Sequence, residues 1–476
     1  MAGKQTNLAW ETLLGVPAPG TRRGPLPARL AGAIRAAIRD GRLPHGAALP
    51  PSRTLAADLG VSRWAVTEAY GRLITEGYLA GRTGSATRVC WTPRPDDDAA
   101  VPRPARAAEK PPRPARYDLT YRTDLRAFPR RRWVEAIRAA AETASFDQLD
   151  YAQAGGHPRL REVLAAHLNR SRGAAAEPGT LSVYAGAGQA LAQVSHALRA
   201  GGHPAIGMES PGSPRLWQAA RAGGLDLVPL PVDDDGLVVD ALRDHPGLRA
   251  VCVGAARQVA LGCPLAPGRR AALLDWARRT GGLIVEDDYD SEFSYAGPMP
   301  AVIQGADRDR VFLLGSMSRT LNPTVSIGWV VAPPRLVGEV RTGRGLPVSP
   351  PALNQLALAH FMESGAYDRH LRASRQRFRA RRAALAGALA RELPGYRVRG
   401  AQAGLDLLLD LPEGADAAAI VAMARRRDMQ LGNLDDLRLV PEPGAPGLLL
   451  GYGNLSDRLV DEAVALLASI LREGCG

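Results

Sequence analysis

Apolar residues near the N-terminus recur at every fourth position. Leu26, Leu30, Ile34 and Ile38 follow this spacing, with arginines between them. Side chains four residues apart lie on one face of an α-helix, so the pattern predicts an amphipathic helix over residues 26–42.

Two shorter helices and a hairpin are predicted to follow the first helix. Ser52, which comes directly after two prolines, can cap a second helix, and Ser62 can cap a third. Residues 78–89 then predict two short strands joined by a turn at Thr83-Gly84. Helix, helix, tight turn, helix and hairpin is the order of a winged helix-turn-helix, whose third helix enters the major groove of DNA.

Beyond residue 117, apolar strand-like runs alternate with helical patterns. The runs begin at Ala205, Ala250, Leu283 and Val311. The helical patterns lie near residues 188–199, 214–222, 267–279 and 353–392. This alternation is typical of an α/β fold with a mostly parallel sheet.

A proline-rich segment separates the two regions. Residues 91–117 hold seven prolines among charged residues and alanines, a composition that cannot form a core and favours a semi-extended linker. A proline-rich docking motif is the alternative interpretation. The expected organisation is a DNA-binding domain over residues 1–90, this linker, and a larger domain over residues 118–476.

The distribution of charge also indicates contact with nucleic acid. Residues 1–90 carry twelve Lys or Arg against five Asp or Glu, which is more than half of the net charge of +12. An excess of positive charge in a small segment is expected where a protein meets phosphates. The chain has no run of 18 apolar residues, no signal peptide at its start and no metal-ligand spacing among its four cysteines, so we expect a cytoplasmic protein without a membrane contact or a metal.

Side chains at the starts of the second and third helices are the candidate DNA contacts, because they reach phosphates and base edges in this arrangement. The hairpin turn is the candidate wing. The candidates are Arg53, Ser62, Arg63 and Thr67 on the helices, and Arg82 and Gly84 in the wing.

The N-terminal region resembles a known DNA-binding domain. The stretch from Leu49 to Tyr70, followed by Glu76-Gly-Tyr-Leu, is similar to the GntR-type winged helix-turn-helix over about residues 24–90. The resemblance implies that the partner is a double-stranded DNA operator.

The larger region resembles the fold-type I aminotransferases, which bind pyridoxal phosphate. The similar strings are Ala185-Gly-Ala-Gly-Gln-Ala-Leu, Glu209-Ser-Pro-Gly, Asp233-Asp-Asp-Gly-Leu, Glu286-Asp-Asp-Tyr-Asp-Ser-Glu-Phe and Gly315-Ser-Met-Ser-Arg-Thr-Leu-Asn-Pro. With its GntR-type head, nearly the whole chain looks like a MocR/GabR-type regulator. The resemblance implies a homodimer, with a head-to-tail, domain-swapped arrangement as one form of it.

One substitution removes the chemistry that defines this cofactor site. In the family, the lysine that forms an imine with the cofactor aldehyde stands where this chain has Arg319. A guanidinium stays protonated in proteins and is not a nucleophile. No lysine follows Lys110, so no other residue of the domain can replace it, and pyridoxal phosphate is not expected as a cofactor.

Other cofactor positions have also changed, according to the resemblance. Ser326 stands where an arginine would grip the phosphate, and Ser213 where a tyrosine would lie near the pyridine ring. In the stretch 255–262, only Gln258 and Gly262 remain of the family pattern. The same motifs place Gly188, Gln189, Ser316 and Ser318 around the pocket.

Some pocket residues are retained. Asp287 or Asp288 would pair with the pyridine nitrogen, and Tyr289 would face the ring hydroxyl. The alternative for the acid is a structural role, with Arg319 or Arg257 as its partner. Arg215 follows the Pro-Gly turn, where the family can hold an effector carboxylate, and a surface arginine is the alternative there.

The sequence therefore predicts a transcriptional regulator whose aminotransferase-like domain serves dimerisation and the sensing of a small-molecule effector, without a cofactor and without catalysis. Two alternatives remain open: a scaffold that only dimerises, and a transaminase with a DNA-binding appendage. For Arg319, we expect either an ion pair with the acid that closes the pocket, or an anchor for an anionic effector.

The distribution of lysines yields a direct chemical test. When the protein is mixed with pyridoxal phosphate and reduced with borohydride, residues 111–476 are expected to stay unmodified, because a trapped imine needs an amine. Peptide mass spectrometry locates any adduct. Adducts at Lys4 or Lys110 would mean only surface reaction, whereas an adduct within 111–476 would contradict the expectation.

Overall fold

The computed structural model describes residues 10, 14, 25–81, 86–92, 115–150, 154–295, 297, 299–342, 349–400, 403–441 and 444–474. The chain divides into two compact units, residues 1–112 and 113–476. The division falls inside the predicted linker, most of which lies outside the described residues.

The first unit is a winged helix-turn-helix, as predicted. Its helices are α1 (Leu26–Arg39), α2 (Ser52–Asp58) and α3 (Arg63–Thr75), and its strands β1 (Leu79–Ala80) and β2 (Arg88–Val89) pair antiparallel. The apolar positions at helical spacing form its core, because the three helices can remove them from water only by packing together. The most buried of these side chains are Leu30, Ile34, Leu55, Val66 and Leu73.

The second unit is built on an eight-stranded sheet with the order β4-β11-β10-β9-β8-β5-β6-β7. The five neighbouring strands β6, β5, β8, β9 and β10 are parallel, and β11, β4 and β7 join antiparallel. The predicted α/β fold with a mostly parallel sheet is therefore confirmed. The strands are β3 (Tyr117–Asp118, outside this sheet), β4 (Leu181–Tyr184), β5 (Ala205–Ser210), β6 (Asp226–Asp233), β7 (Gly236–Leu237), β8 (Ala250–Val253), β9 (Leu283–Asp287), β10 (Val311–Ser316) and β11 (Gly328–Val331).

Helices connect and cover the strands of this sheet. They are α4 (Arg130–Thr143), α5 (Pro158–Arg172), α6 (Ala187–Ala200), α7 (Pro214–Ala222), α8 (Pro267–Thr280), α9 (Met317–Thr320), α10 (Val337–Thr342), α11 (Ala352–Glu363), α12 (Ala366–Glu392), α13 (Ala417–Arg426) and α14 (Val460–Gly474). The predicted helical stretch 353–392 forms two helices, because Gly365 between α11 and α12 takes a left-handed conformation with φ of 68°.

A smaller sheet completes the second unit. Its order is β12-β13-β16-β15, with β12 (Val398–Arg399), β13 (Asp406–Asp410), β15 (Gly432–Asn433) and β16 (Gly447–Gly451). Strand β14 (Met429–Gln430) pairs in parallel with β3, the first strand after the linker. The polypeptide that follows β3 therefore starts beside the smaller sheet, from where it reaches the site described next.

None of the helices in the described ranges has both the length and the apolar character needed to cross a bilayer.

Two adjacent residues of α3 provide a matched test of the first unit's core. Leu73 is fully buried, whereas Ile74 is 42% exposed. Leu73→Ala is expected to lower the free energy of unfolding of this unit by about 2–5 kcal/mol, because it leaves a cavity. Ile74→Ala is expected to cost only about 0.5 kcal/mol, the usual scale of surface changes. Calorimetry of both variants measures the difference, and equal losses would contradict the packing.

Candidate functional site

The candidate DNA-reading surface is the outer face of α3. Its inner face carries the buried side chains Val66 and Leu73, while Arg63 and Thr67 are exposed. Ser62 caps the helix by accepting a hydrogen bond from the backbone N–H of Ala65 at 3.3 Å. The face that points away from the core is thus polar and open to a groove.

The helix start carries one large side chain that sequence reasoning missed. Trp64 is 67% exposed, although an indole normally lies mostly buried. It stands between Arg63 and the buried turn of α3, so it lies on the surface that would face bases and sugars. An aromatic residue on the polar side of a predicted recognition helix is the signal that would have identified it.

The structure describes two of the other candidate DNA contacts, Arg53 and Thr67. Arg53 is exposed near the start of α2, and the Thr67 hydroxyl donates to the carbonyl of Arg63 at 3.0 Å. Arg82 and Gly84, the predicted wing residues, lie outside the described residues.

In the second unit, the candidate pocket lies where β9 ends. Strand ends of a parallel sheet are where α/β proteins usually bind ligands. Three carboxyl groups follow one another here, on Asp287, Asp288 and Asp290. Each has a different environment, and together they decide the electrostatics of the site.

Asp288 is held in an ion pair. Its carboxylate accepts from both Nε (2.8 Å) and Nη2 (3.1 Å) of Arg172, and both side chains are about 5% exposed. A two-pronged, buried pair of this kind occupies the whole carboxylate. Asp288 is therefore not available to a ligand, which leaves Asp287 as the acid that faces the pocket.

Asp290 is held by Arg257, which also reaches the smaller sheet. Nη1 of Arg257 donates to Asp290 at 3.2 Å and to the hydroxyl of Tyr289 at 2.5 Å, and Nη2 bonds Asp406 on β13. Burial alone would lower the pKa of Arg257, but the charges of Asp406, Tyr289 and Asp290 together outweigh it and raise the pKa. Arg257 thus links the end of β9 to β13, and its positive charge is compensated by the carboxylates of Asp290 and Asp406.

A glycine makes room for this guanidinium. Gly404 has a φ of 85°, and a Cβ at this position would lie 2.3 Å from Nε of Arg257. Only glycine combines this backbone conformation with so close an approach.

Asp287 is the acid left without such a partner. Its Oδ1 is buried and makes no hydrogen bond within the described chain. Burial, together with the charges of Asp288 and Asp290, raises the pKa of Asp287 to about 7. The expected ion pair with Arg319 or Arg257 is wrong: neither guanidinium lies within 4.0 Å of this carboxylate, because Arg257 already serves Asp290.

Arg319 has a different neighbour. Its Nη1 donates to the backbone carbonyl of Tyr121 at 3.0 Å, and its Cζ lies 3.9 Å from the centre of the Tyr121 ring. No carboxylate of the described residues lies within ion-pair distance of it. The Tyr121 hydroxyl donates to Asp290 at 3.1 Å. The residue that stands where the resemblance places the imine-forming lysine therefore holds the segment after β3 in place through a cation–π contact and a hydrogen bond.

A small cavity lies beside Asp287. Ser213, at the start of α7, lines it together with Glu209, Trp217 and Tyr289. Its interior space is about 20 Å³, roughly enough for one water molecule. Burial raises the pKa of Glu209 to about 8, and Oε1 of Glu209 and Nε1 of Trp217 have no hydrogen-bond partner in the described chain.

The residues predicted to lie near the cofactor phosphate form hydrogen bonds with other groups of the protein. Ser326 has a left-handed conformation, and its Oγ donates to the carbonyl of Ala185 at 3.2 Å. Oε1 of Gln189 accepts from the N–H of Ala185 at 2.7 Å. Ser316 donates to the hydroxyl of Ser318 at 2.9 Å. These polar groups close the loops around them.

Two further candidates offer no contact to the cavity. Gly188 lies in the first turn of α6, with no atom within 4 Å of a Cβ placed there. Arg215 is exposed on α7 and is not among the residues that line the cavity.

Within the ranges that the structure describes, no group of three or more His, Cys, Asp or Glu side chains is placed to hold a metal ion.

Sequence reasoning missed several residues of this site. Tyr121 and Asp406 gave no signal, because they lie 198 and 149 residues from the arginines that they contact. Glu209 and Asp290 stand inside the motifs already recognised, and Trp217 lies one helical turn after Ser213. The sequence shows that these residues lie beside motif residues, but it does not show that their polar atoms lack hydrogen-bond partners.

Two family models match the chain. Residues 26–89 match the bacterial regulatory proteins of the gntR family, and residues 120–431 match the class I and II aminotransferases. The two matches correspond to the winged helix-turn-helix and to most of the second unit.

Curated relatives combine the same two parts. The chain is 32% identical over 457 residues to the probable rhizopine catabolism regulatory protein MocR of Rhizobium meliloti, with 92% of each chain covered. It is 34% identical over 400 residues to the pyridoxine biosynthesis transcriptional regulator PdxR of Corynebacterium glutamicum, covering 82% of this chain and 84% of the relative.

Solved structures show the fold of the second unit. An archaeal alanine:glyoxylate aminotransferase superposes with a TM-score of 0.69 at 22% identity, over 75% of this chain and 91% of that one. A kynurenine aminotransferase of Pyrococcus horikoshii gives 0.68 at 21% identity, over 76% and 92%.

Fold and relatives together define the class: a DNA-binding regulator with a helix-turn-helix head and an aminotransferase-like domain. The chain belongs to the gntR family of bacterial regulatory proteins, in its MocR-type group.

A variant of α3 tests the DNA-reading surface. Arg63→Ala is expected to weaken binding to an operator selected from random duplexes by about 1–3 kcal/mol, the size of a good base contact. Fluorescence anisotropy gives the affinity, and Arg243→Ala in the second unit is the control for a lost charge. Wild-type affinity would contradict the assignment, and an equal loss on non-specific DNA would reduce Arg63 to a backbone contact.

Proposed function

We propose that this regulator works without pyridoxal phosphate and that its aminotransferase-like domain dimerises and binds a small effector non-covalently. The observation that carries the proposal is Arg319. It stands where the family's resemblance places the imine-forming lysine, and its guanidinium holds Tyr121.

The residues around the pocket do not fit the cofactor. Binding pyridoxal phosphate would require an amine, a cation for the phosphate and space for the ring. Arg319 supplies no amine, Ser326 supplies no charge and donates to the backbone carbonyl of Ala185, and the cavity beside Asp287 has an interior of only about 20 Å³. We therefore derive no reaction through this group.

The same chemistry argues against a transaminase. Transamination starts from an imine between the enzyme and its cofactor, and the domain has no lysine to form one. A guanidinium cannot take that part, since it stays protonated in proteins and is not a nucleophile.

Unpartnered polar atoms favour a sensor over a pure scaffold. Each buried polar group without a partner costs about 1–3 kcal/mol of stability. Glu209, Trp217 and Asp287 each carry such an atom at one cavity. A domain that only dimerised would gain stability from apolar residues there, whereas a binding site needs these groups.

The contact between Arg319 and Tyr121 offers a route for a signal. Tyr121 lies three residues after β3, and β3 is the first strand after the proline-rich segment. A ligand beside Asp287 and Asp290 would change the field at Tyr121, whose hydroxyl bonds Asp290. Occupancy of the pocket would thereby act on the start of the segment that leads to the DNA-binding unit.

An exposed apolar patch supports the homodimer. Helices α4 and α11 pack against each other, the 3-10 helix Phe146–Leu149 packs against α11, and the three elements leave large apolar side chains on the surface. These are Val134 (55% exposed), Ile137 (37%), Phe146 (93%), Leu149 (47%) and Leu353 (37%). Patches of this kind mark interaction sites, and we assign this one to a second copy of the chain.

A charge placed in the patch tests the dimer. Phe146→Asp is expected to shift the protein from dimer towards monomer in sedimentation equilibrium, because the carboxylate would have to be desolvated at the interface. Ile74→Asp, a change of similar size on an exposed residue of the first unit, is the control. A wild-type monomer, or a dimer that Phe146→Asp leaves unchanged, would show that the patch has another role.

Restoring the amine tests how far the cofactor site has changed. Arg319→Lys with added pyridoxal phosphate is expected to give no stable coloured imine, since phosphate and ring remain poorly held near Ser326 and Ser213. Absorption spectroscopy after gel filtration is the measurement, with wild type as the control. A stable stoichiometric complex would mean that loss of one residue is the whole difference.

A further inference from the structure

The polar atoms left open at the cavity beside Asp287 are mostly acceptors. Oε1 of Glu209 and Oδ1 of Asp287 are buried and lack partners in the described chain, and the third fully buried polar side-chain atom of the lining without a partner is Nε1 of Trp217. Glu209 and Trp217 are 7% and 6% exposed. Neither atom can reach bulk water, so each needs a partner from within the cavity.

The cations of this region are engaged elsewhere. Arg172 forms its pair with Asp288, Arg257 with Asp290 and Asp406, and Arg319 lies on Tyr121. Arg215 is exposed on α7 and does not line the cavity. No guanidinium of the described residues lines the cavity, so the anionic effector that was one alternative from the sequence finds no direct cationic partner there.

We infer that the cavity receives the cationic head group of a small, phosphate-free ligand, an ammonium or amidinium held by Glu209 and Asp287. The inference rests on the proposed effector-binding function and specifies its ligand class. An ammonium group donates up to three hydrogen bonds, which two carboxylates can accept. Burial raises the pKa of both acids, and a cation in the cavity favours their ionised, accepting forms over the protonated ones.

The size of the cavity selects the kind of head group. An interior of about 20 Å³ holds a group about as large as one water molecule. A primary ammonium fits this limit, whereas a phosphate or an aromatic ring does not. The remainder of the ligand must then lie outside the enclosed space, beyond Ser213 and Tyr289.

Paired probes of opposite charge test the inference on the full-length protein. Methylammonium and formate are both one-carbon ions, and saturation-transfer NMR at constant ionic strength compares their binding. Methylammonium is expected to bind saturably and formate is not. Asp287→Asn and Glu209→Gln, which keep the side-chain shape, are each expected to weaken methylammonium binding by about tenfold, the loss of one charge-assisted hydrogen bond.

Two control variants accompany these measurements. Asp240→Asn, at a residue whose side chain is 79% exposed, is expected to leave binding unchanged, and Trp217→Phe should retain it, because that change removes only a donor. Binding of formate at equal strength, absence of saturable methylammonium binding (a cavity that holds water only), or unchanged binding in Asp287→Asn would each overturn the inference. The assay contains neither DNA nor cofactor, so these results stand apart from operator binding and from imine formation, which test the proposed function.

Discussion

The second unit depends on how it compensates three carboxyl groups at the end of β9. Asp287, Asp288 and Asp290 stand within four residues, where little water reaches them. A buried carboxylate is tolerated only if it is paired, or if its pKa rises. Arg172 compensates Asp288 and Arg257 compensates Asp290, so the third acid keeps a raised pKa and an open oxygen.

Several other features follow from this division. Arg257 also bonds Asp406 on β13 and so links the two sheets. Gly404, which has no side chain, leaves space for the guanidinium. With those arginines engaged, Arg319 lies on Tyr121, next to the start of the unit. Ion pairs within the protein thus occupy two of the three acids at the end of β9, and Arg319 donates to the backbone of Tyr121.

Patterns close together in the sequence predicted much of the fold. The spacing of Leu30 and Ile34, the cap at Ser62 and the apolar runs that became β5, β8, β9 and β10 depend on neighbouring residues, and they were predicted correctly. The site was harder, because partners such as Arg319 and Tyr121 meet only after folding. The sequence left open whether Asp287 or Asp288 faces the pocket. The ion pair between Arg172 and Asp288 decides this, and no sequence motif points to Arg172.

Native mass spectrometry of the purified protein with its selected operator tests the central claim most directly. If this regulator acts without the cofactor of its fold, the complex forms from protein purified in the presence of pyridoxal phosphate, and its mass equals two chains plus one duplex. A complex that carries one pyridoxal phosphate per chain, or that forms only when the cofactor is bound, would contradict the account.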